Sequence, residues 1–176
     1  MNPNQTLILG GARSGKSRFA EQLAAQSLKP VIYLATAQGL DDEMKTRIRR
    51  HQSERPAHWQ LVEQPITLAD ALIVHSKVDN CILVDCLTFW LSNCLCAASK
   101  NCWQQQKSAL LAALNTLPGQ VIFVSNEVGH GIVPLGQLSR EFVAESGWLH
   151  QAIAAQVERV EFIMAGLPLT LKSSHP

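Results

Sequence analysis

A glycine-rich stretch near the start of the chain has the residue types and the spacing of a phosphate-binding loop. Gly10, Gly15, Lys16 and Ser17 fit the pattern G-x-x-x-x-G-K-[ST] without a mismatch. In such a loop the glycines let backbone N–H groups point at phosphate oxygens, the lysine reaches the β- and γ-phosphates, and the serine hydroxyl binds Mg²⁺. The stretch lies between an apolar run and a helical pattern, which is the context that the motif requires. The sequence therefore predicts a nucleotide site.

An acidic residue at the end of a second apolar run supplies the next part of such a site. Asp85 lies near the end of "CILVDC" (81–86). In phosphate-loop enzymes an aspartate in this place helps to hold the magnesium ion that accompanies the nucleotide. The alternative is a strand-end aspartate that caps the following turn. We predict that Ser17 and Asp85 are the protein's ligands for Mg²⁺.

A charged segment, "DDEMKTRIRRHQSER" (41–55), carries a histidine that could act as a nucleophile. Acidic residues lead and basic residues follow, as suits a helix dipole. On a helix His51 shares a face with Met44 and Ile48, and arginines lie beside it. A neutral imidazole attacks phosphorus well and leaves well from the phosphoramidate it forms, and neighbouring arginines would neutralise phosphate oxygens. From the residues alone, a structural histidine on a solvated charged helix is the favoured alternative.

A third polar group follows another apolar run, in "SNEVGHGIVP" (125–134). Asn126 and Glu127 stand where α/β folds place ligand-binding groups, at the carboxyl end of a strand. Glu127 could orient water or magnesium, or accept a proton from a substrate hydroxyl. The segment is equally well read as a tight glycine turn that leads into the next helix. The sequence leaves the two interpretations open.

The elements that must position these residues alternate along the chain. Short apolar runs typical of buried strands are followed by helical patterns, which indicates an α/β fold with a mainly parallel sheet. The predicted strands are 6–10, 31–36, 81–86, 121–126 and 160–166. The predicted helices are 17–28, 41–54, 66–76, 103–116 and 137–158. In the last helix one apolar face is predicted from Leu138, Phe142, Leu149, Ile153 and Val160, with a kink or break at Gly147.

Composition limits the class of protein. The chain has 176 residues, 47% of them hydrophobic and 16% charged, and a formal charge of +1. These values fit one globular domain spanning 1–176, and they disfavour a nucleic-acid partner held by a broad basic field. No apolar run is long enough for a membrane span. The five cysteines lack metal-ligand spacing, so we expect reduced, mostly buried thiols in a cytoplasmic protein.

Five motifs in order resemble one known family, that of the bifunctional adenosylcobinamide kinase / adenosylcobinamide-phosphate guanylyltransferase of cobalamin biosynthesis. The resemblance covers nearly the whole chain, with 96–120 the least distinctive part. The phosphate loop is shared by many enzymes, whereas its combination with the histidine segment and the glycine-rich motif is much more specific. The motifs are "GGARSGKS" (10–17), "YLAT" (33–36), "DDEM…RI…H…R" (41–55), "VDCLT" (84–88) and "SNEVGHGIVP" (125–134).

This resemblance implies two reactions at one nucleotide site. The family phosphorylates the aminopropanol hydroxyl of adenosylcobinamide with a nucleoside triphosphate. It then takes GMP from GTP onto a histidine, here His51, and passes it to the new phosphate, which releases pyrophosphate and forms adenosylcobinamide-GDP. Some members have a second histidine before the nucleophile; this chain has Arg50 there.

The resemblance also implies a RecA-like P-loop fold, a homotrimer, Mg²⁺ as cofactor, GTP and ATP as substrates, and Lys16 and His51 as catalytic residues. The implied nucleotide contacts are Gly10, Gly11, Ala12, Arg13, Ser14, Gly15, Lys16, Ser17, Ala35, Thr36, Ala37, Gln52, Ser53, Glu54, Arg55, Glu63 and Asp85. Two rival functions remain open from the residues alone. One is a P-loop small-molecule kinase in which His51 is structural, and the other is a non-enzymatic nucleotide switch.

Overall fold

A computed structural model describes residues 2–39, 42 and 56–173. Most of the charged segment, including His51, and the last three residues lie outside the described residues, so the helix predicted at 41–54 is not tested.

The described chain forms a seven-stranded sheet with helices on both faces. The strands run in the spatial order β3-β2-β4-β5-β1-β6-β7. All neighbouring pairs are parallel except β6 and β7, which are antiparallel. The strands are β1 Asn2–Gly10, β2 Val31–Ala35, β3 Gln60–Glu63, β4 Cys81–Asp85, β5 Gln120–Asn126, β6 Val157–Met164 and β7 Leu167–Lys172. The helices are α1 Lys16–Gln26, α2 Leu68–His75, α3 Leu87–Leu95, α4 Cys102–Leu114 and α5 Gln137–Gln156. The α/β class with a mainly parallel sheet is confirmed.

The sheet separates two apolar clusters, because side chains alternate between the faces of a strand. The larger cluster packs α2, α3, α4 and α5 against one face. The smaller cluster packs Ala20 and Ala24 of α1 against the other face. Since six strands are parallel, their carboxyl ends lie at one edge of the sheet, where the predicted chemistry is expected.

Three elements were not predicted. Strand β3 comes after the segment 54–59, and helix α3 comes after the strand predicted at 81–86. Strand β7 pairs antiparallel with β6 at the edge of the sheet.

Two details predicted for the last helix were wrong. Gly147 does not break α5, which is continuous from Gln137 to Gln156. The apolar face is shorter than expected, since Leu138 is 53% exposed and Val160 belongs to β6.

The cysteine and membrane expectations can be compared with the described residues. All five cysteines are free, and four of them are buried, as expected; Cys96 is exposed. Within residues 2–39, 42 and 56–173, none of the helices combines the length and the apolar character that crossing a membrane requires.

Trp90 of α3 is expected to contribute strongly to stability. Its side chain is fully buried, its indole N–H donates to the Ile66 carbonyl over 2.6 Å, and its ring meets that of Trp103 edge-on at 5.3 Å. Trp90→Ala should therefore lower the free energy of unfolding by about 3–5 kcal/mol. Trp148→Ala is the control, because that side chain is 57% exposed, and it should cost at most about 1 kcal/mol. Urea denaturation followed by circular dichroism measures both, and equal losses would contradict the assigned role.

Candidate active site

The phosphate-binding loop leaves β1 at Gly10 and enters α1 at Lys16. Gly15 has a φ of 95° and Arg13 a φ of 58°, so both lie in the left-handed region that a tight loop requires. Within the loop the Ser14 N–H donates to the Gly11 carbonyl over 3.2 Å. The Ser14 carbonyl accepts from the Gly166 N–H in the β6–β7 turn over 2.8 Å. The β6–β7 turn therefore holds the loop through a backbone hydrogen bond.

Glycine is required at position 10 because neighbouring backbone approaches it closely. A Cβ atom there would lie 2.6 Å from the Ile163 carbonyl oxygen and 2.6 Å from Ser14 Oγ. Gly10 also pairs in register with Ile163 of β6 and Asn126 of β5, and its carbonyl accepts from the Glu127 N–H over 3.0 Å. By contrast, a Cβ at Gly11 would meet no atom within 4 Å.

Lys16 is held over the loop. It is only 7% exposed, and its Nζ donates to the Gly11 carbonyl over 3.2 Å. An ammonium group folded back in this way lies at the N-terminus of α1, where backbone N–H groups and the helix dipole favour a phosphate. Ser17 is half-buried in the first turn of α1, while Ala12 and Arg13 are exposed on the loop.

Asp85 lies on the face of the sheet that α1 covers. It alternates with Cys81 and Leu83, which both belong to the smaller apolar cluster. The Tyr33 hydroxyl donates to Asp85 Oδ2 over 2.8 Å and so orients the carboxylate. Burial, and then the charge of Asp85, raises the pKa of Cys86 to about 11, while Lys16 acts in the opposite direction. Both charged groups therefore act on the same buried thiol.

The donor set fits the predicted magnesium ion. Ser17 would supply a hydroxyl and Asp85 a carboxylate, which are the oxygen ligands that Mg²⁺ prefers, together with substrate phosphates and water. Among the described residues no group of three or more histidine, cysteine, aspartate or glutamate side chains could hold a metal. A site with two protein ligands is compatible with that finding, because Mg²⁺ usually keeps several waters.

The three nucleotide contacts predicted at the end of β2 differ in burial. Thr36 is fully buried, and its hydroxyl donates to the Cys86 carbonyl over 2.7 Å and accepts from the Cys86 N–H over 2.9 Å. This side chain joins the ends of β2 and β4. Ala35 and Ala37 are half-buried at the same edge.

The remaining predicted contacts are not brought to the phosphate loop by the described chain. Glu63 is exposed at the end of β3, and β3 is four strand positions from β1. At about 4.8 Å per strand, the separation is roughly 19 Å. Another five predicted site residues lie outside the described residues: His51, Gln52, Ser53, Glu54 and Arg55.

Asn126 ends β5, the strand between β1 and β4, and presents a polar atom to the site. Its Nδ2 donates to Thr88 Oγ1 over 3.2 Å. In the part of the chain that the structure describes, its buried Oδ1 has no hydrogen-bond partner, and neither has Ser14 Oγ. Buried polar atoms normally have partners, so both atoms mark a place where a ligand would supply them.

Behind Asn126 lies a buried polar cluster that the sequence did not predict. His150 of α5 is 6% exposed, its Nε2 lies 2.7 Å from Ser125 Oγ, and its Nδ1 lies 3.5 Å from Glu127 Oε2. Burial lowers the pKa of His150, and Glu127 partly offsets this shift. Glu127 Oε1 also accepts from the Gly129 N–H over 2.6 Å. The contact with the Gly129 N–H favours the glycine-turn interpretation of the segment, because it uses one carboxylate oxygen of Glu127 within the turn.

Fold and site together define a P-loop nucleotide-binding protein of the RecA-like class. The phosphate loop follows β1, and the acidic residue ends β4, with one strand between them. The RadB recombinase has a similar fold, with a TM-score of 0.52 at 14% identity over 92% of this chain and 74% of that chain. A DnaB-like replicative helicase gives a TM-score of 0.53 at 16% identity over 92% of this chain and 47% of that chain. At such identities the likeness concerns the fold alone.

Sequence comparison identifies the family. Residues 6–171 match the model of the family described as cobinamide kinase / cobinamide phosphate guanyltransferase. The bifunctional adenosylcobalamin biosynthesis protein CobP of Pseudomonas aeruginosa is 55% identical over 166 residues, which cover 94% of this chain and 96% of the relative. The corresponding protein CobU of Salmonella typhimurium is 37% identical over 179 residues, which cover 94% and 98%. The chain belongs to the cobinamide kinase / cobinamide phosphate guanyltransferase family.

The close packing at Gly10 generates a prediction about stability. Gly10→Ala forces a methyl group against a backbone carbonyl, so we expect the free energy of unfolding of the nucleotide-free protein to fall by about 1–3 kcal/mol. Gly11→Ala is the matched control, and we expect a change within about 0.5 kcal/mol because the space there is open. Chemical denaturation measures both. An unchanged Gly10→Ala protein would show that β6 does not constrain the loop.

The buried His150 predicts how stability depends on pH. Its pKa is lowered in the folded protein, so below the ordinary histidine value of about 6.5 the unfolded chain binds more protons than the folded chain. Stability that is present above that value is therefore lost as the pH falls. Replacing His150 by Gln should make the decline between about pH 7.5 and pH 5.5 shallower. The control His130→Gln, at an exposed position, should leave the decline unchanged, and equal slopes in all three proteins would contradict the prediction.

Proposed function

We propose that the chain carries out both reactions of its family and that His51 is the residue that becomes guanylylated. As a family member the chain is a bifunctional cobinamide kinase and cobinamide phosphate guanylyltransferase. The observation that carries the proposal is the match over 6–171, because it includes both the phosphate loop and the histidine segment.

The first reaction is the transfer of a γ-phosphoryl group to the aminopropanol hydroxyl of adenosylcobinamide. The loop N–H groups and Lys16 hold the triphosphate and stabilise charge on the transferred group. The hydroxyl oxygen forms a bond to the γ-phosphorus while the bond to the nucleoside diphosphate breaks, and the hydroxyl proton is released to water. Magnesium, held by Ser17 and Asp85, would neutralise phosphate charge.

The second reaction takes place at the opposite end of the triphosphate. A nitrogen of His51 attacks the α-phosphorus of GTP, and pyrophosphate leaves. An oxygen of adenosylcobinamide phosphate then attacks the same phosphorus, the bond to nitrogen breaks, and adenosylcobinamide-GDP is formed. A covalent intermediate divides one difficult transfer into two easier ones.

Several further features belong to the same proposal. We infer that GTP and ATP are the nucleotides, that residues 1–176 form one domain, and that the protein is a cytoplasmic homotrimer without a nucleic-acid partner. The nucleotide contacts Ala35, Thr36, Ala37, Glu63 and the residues 52–55 stay predictions. For Glu63 the proposal requires that the guanine end of the nucleotide extends along the sheet edge, away from the phosphate loop.

The proposed intermediate predicts a covalent label. Incubation with GTP labelled at the α-phosphate should label the wild-type protein, and the label should be lost in acid and kept in alkali, because it is a phosphoramidate. His51→Ala should abolish labelling while it retains much of the phosphorylation of adenosylcobinamide. Mapping the labelled peptide by mass spectrometry identifies the residue.

His58→Ala is the control, since His58 is a nearby exposed histidine and its replacement should leave the label in place. An unlabelled wild-type protein that still phosphorylates adenosylcobinamide would support a kinase in which His51 is structural. Nucleotide binding without turnover on any corrinoid would support a switch. Loss of both reactions in a folded His51→Ala protein would contradict the division of roles.

A further inference from the structure

A groove opens between α3 and α5 beside the phosphate site. We call it the acceptor groove, and it has a volume of about 480 Å³, which is in the range of small-molecule sites. Its lining is mostly apolar, with a few polar groups, and it includes Ser92, Leu95, Val128, Pro134, Leu138 and Phe142. The segment along its rim exposes further apolar side chains, and Ile132 and Leu135 are each 98% exposed.

The groove starts close to the end of β5, which pairs with the start of the phosphate-binding loop at Gly10. Val128 follows Asn126 by two residues, which span at most about 7 Å of chain. On α3, Ser92 follows Thr88 by one helical turn, so both residues lie on one face of the helix. Thr88 contacts Asn126, whereas Ser92 lines the groove. One helix face therefore connects the groove with the end of β5, next to Gly10.

The buried Asn126 Oδ1 indicates which chemical group of a ligand in the groove would face the phosphate loop. Thr88 accepts a hydrogen bond from Asn126 Nδ2 and so fixes the amide with its oxygen available as an acceptor. That oxygen has no partner among the described residues. An unpaired buried acceptor is satisfied by a ligand that carries a donor. A hydroxyl group about to receive a phosphoryl group is such a donor.

We propose that the acceptor groove binds an apolar edge of the corrinoid substrate and that Asn126 Oδ1 accepts a hydrogen bond from its aminopropanol hydroxyl. This proposal rests on the kinase function proposed above. A corrin macrocycle combines methyl-bearing edges with peripheral amides, which matches an apolar groove with scattered hydroxyl groups. A second copy of the chain would also bury apolar surface, and the assembly measurement below tests that alternative.

The test compares two exposed apolar residues on helices. Leu138 lines the groove and is 53% exposed, whereas Ile73 of α2 lies outside it and is 58% exposed. We expect Leu138→Ser to weaken equilibrium binding of adenosylcobinamide and to raise its KM about tenfold, because apolar contact is lost. Ile73→Ser should change neither. Ser139→Trp, which places a bulky ring at the exposed groove residue Ser139, should weaken corrinoid binding further.

Nucleotide affinity and labelling by α-labelled GTP need no corrinoid, so they should stay at wild-type values in all three variants. If the wild type is not labelled while Leu138→Ser still weakens corrinoid binding, the histidine mechanism is contradicted and the groove proposal is supported. Wild-type corrinoid affinity in both groove variants overturns the groove. The proposal is also overturned if the groove variants change the mass of the assembly, measured by light scattering, while corrinoid affinity stays unchanged. The groove would then be a contact between subunits.

Asn126→Asp tests the hydroxyl contact separately. Replacing the amide by a carboxylate keeps the shape and an acceptor oxygen but brings negative charge toward the γ-phosphate. We expect kcat for phosphorylation to fall more than tenfold with the KM for corrinoid nearly unchanged. Asn126→Ala should lower kcat in the same way, and a wild-type kcat in both proteins would contradict the role of Asn126.

Discussion

The absence of a side chain at Gly10 is the constraint on which the site depends. At this residue β1 is paired with β5 on one side and with β6 on the other, and the chain turns into the phosphate loop in the next step. The carbonyl of Ile163 and the hydroxyl of Ser14 fill the space that a Cβ would need. Because the same residue also accepts the Glu127 N–H, the loop and the end of β5 are fixed relative to each other. A phosphate held by the loop therefore has a defined distance to every group that β5 carries.

Because side chains alternate along each strand, Asp85 and Ser125 lie on opposite faces of the sheet. Asp85 points to the face of α1, where Lys16 and Ser17 begin the helix, so the residues proposed to bind phosphate and magnesium lie on one face of the sheet. Ser125 points to the opposite face and meets His150 of α5. Asn126 is the last residue of β5, and its amide donates to Thr88 of α3. In the proposed phosphoryl transfer, nucleotide and acceptor would approach one phosphorus atom from different sides, as an in-line displacement requires.

The parts of the site that could be predicted are those recognised from residues close to one another in the sequence. The eight residues of the phosphate loop and the apolar run before Asp85 can each be recognised within ten positions, and the structure contains the strand, loop and helix that they indicate. The edge strand β3 was missed because "QLVE" is short and half polar, which resembles a loop. Helix α3 was missed because "LTFWLSNCL" continues an apolar run without a break. The contact of His150 with Ser125 joins residues 25 positions apart, and no local pattern records such a contact.

Two reactions at one triphosphate impose opposite demands on the protein. Phosphoryl transfer needs the γ-phosphate presented to an acceptor, whereas guanylyl transfer needs the α-phosphorus presented to a nucleophile. In the proposed mechanism the phosphate loop, Lys16 and Asp85 serve both reactions, because they would hold the triphosphate and its charge without selecting which bond breaks. On that proposal, the group that attacks decides which bond breaks: the substrate hydroxyl beside Asn126 in the first reaction, and the imidazole of His51 in the second. The proposal therefore needs only one fixed phosphate loop, because the packing at Gly10 holds the loop in place while the attacking group changes.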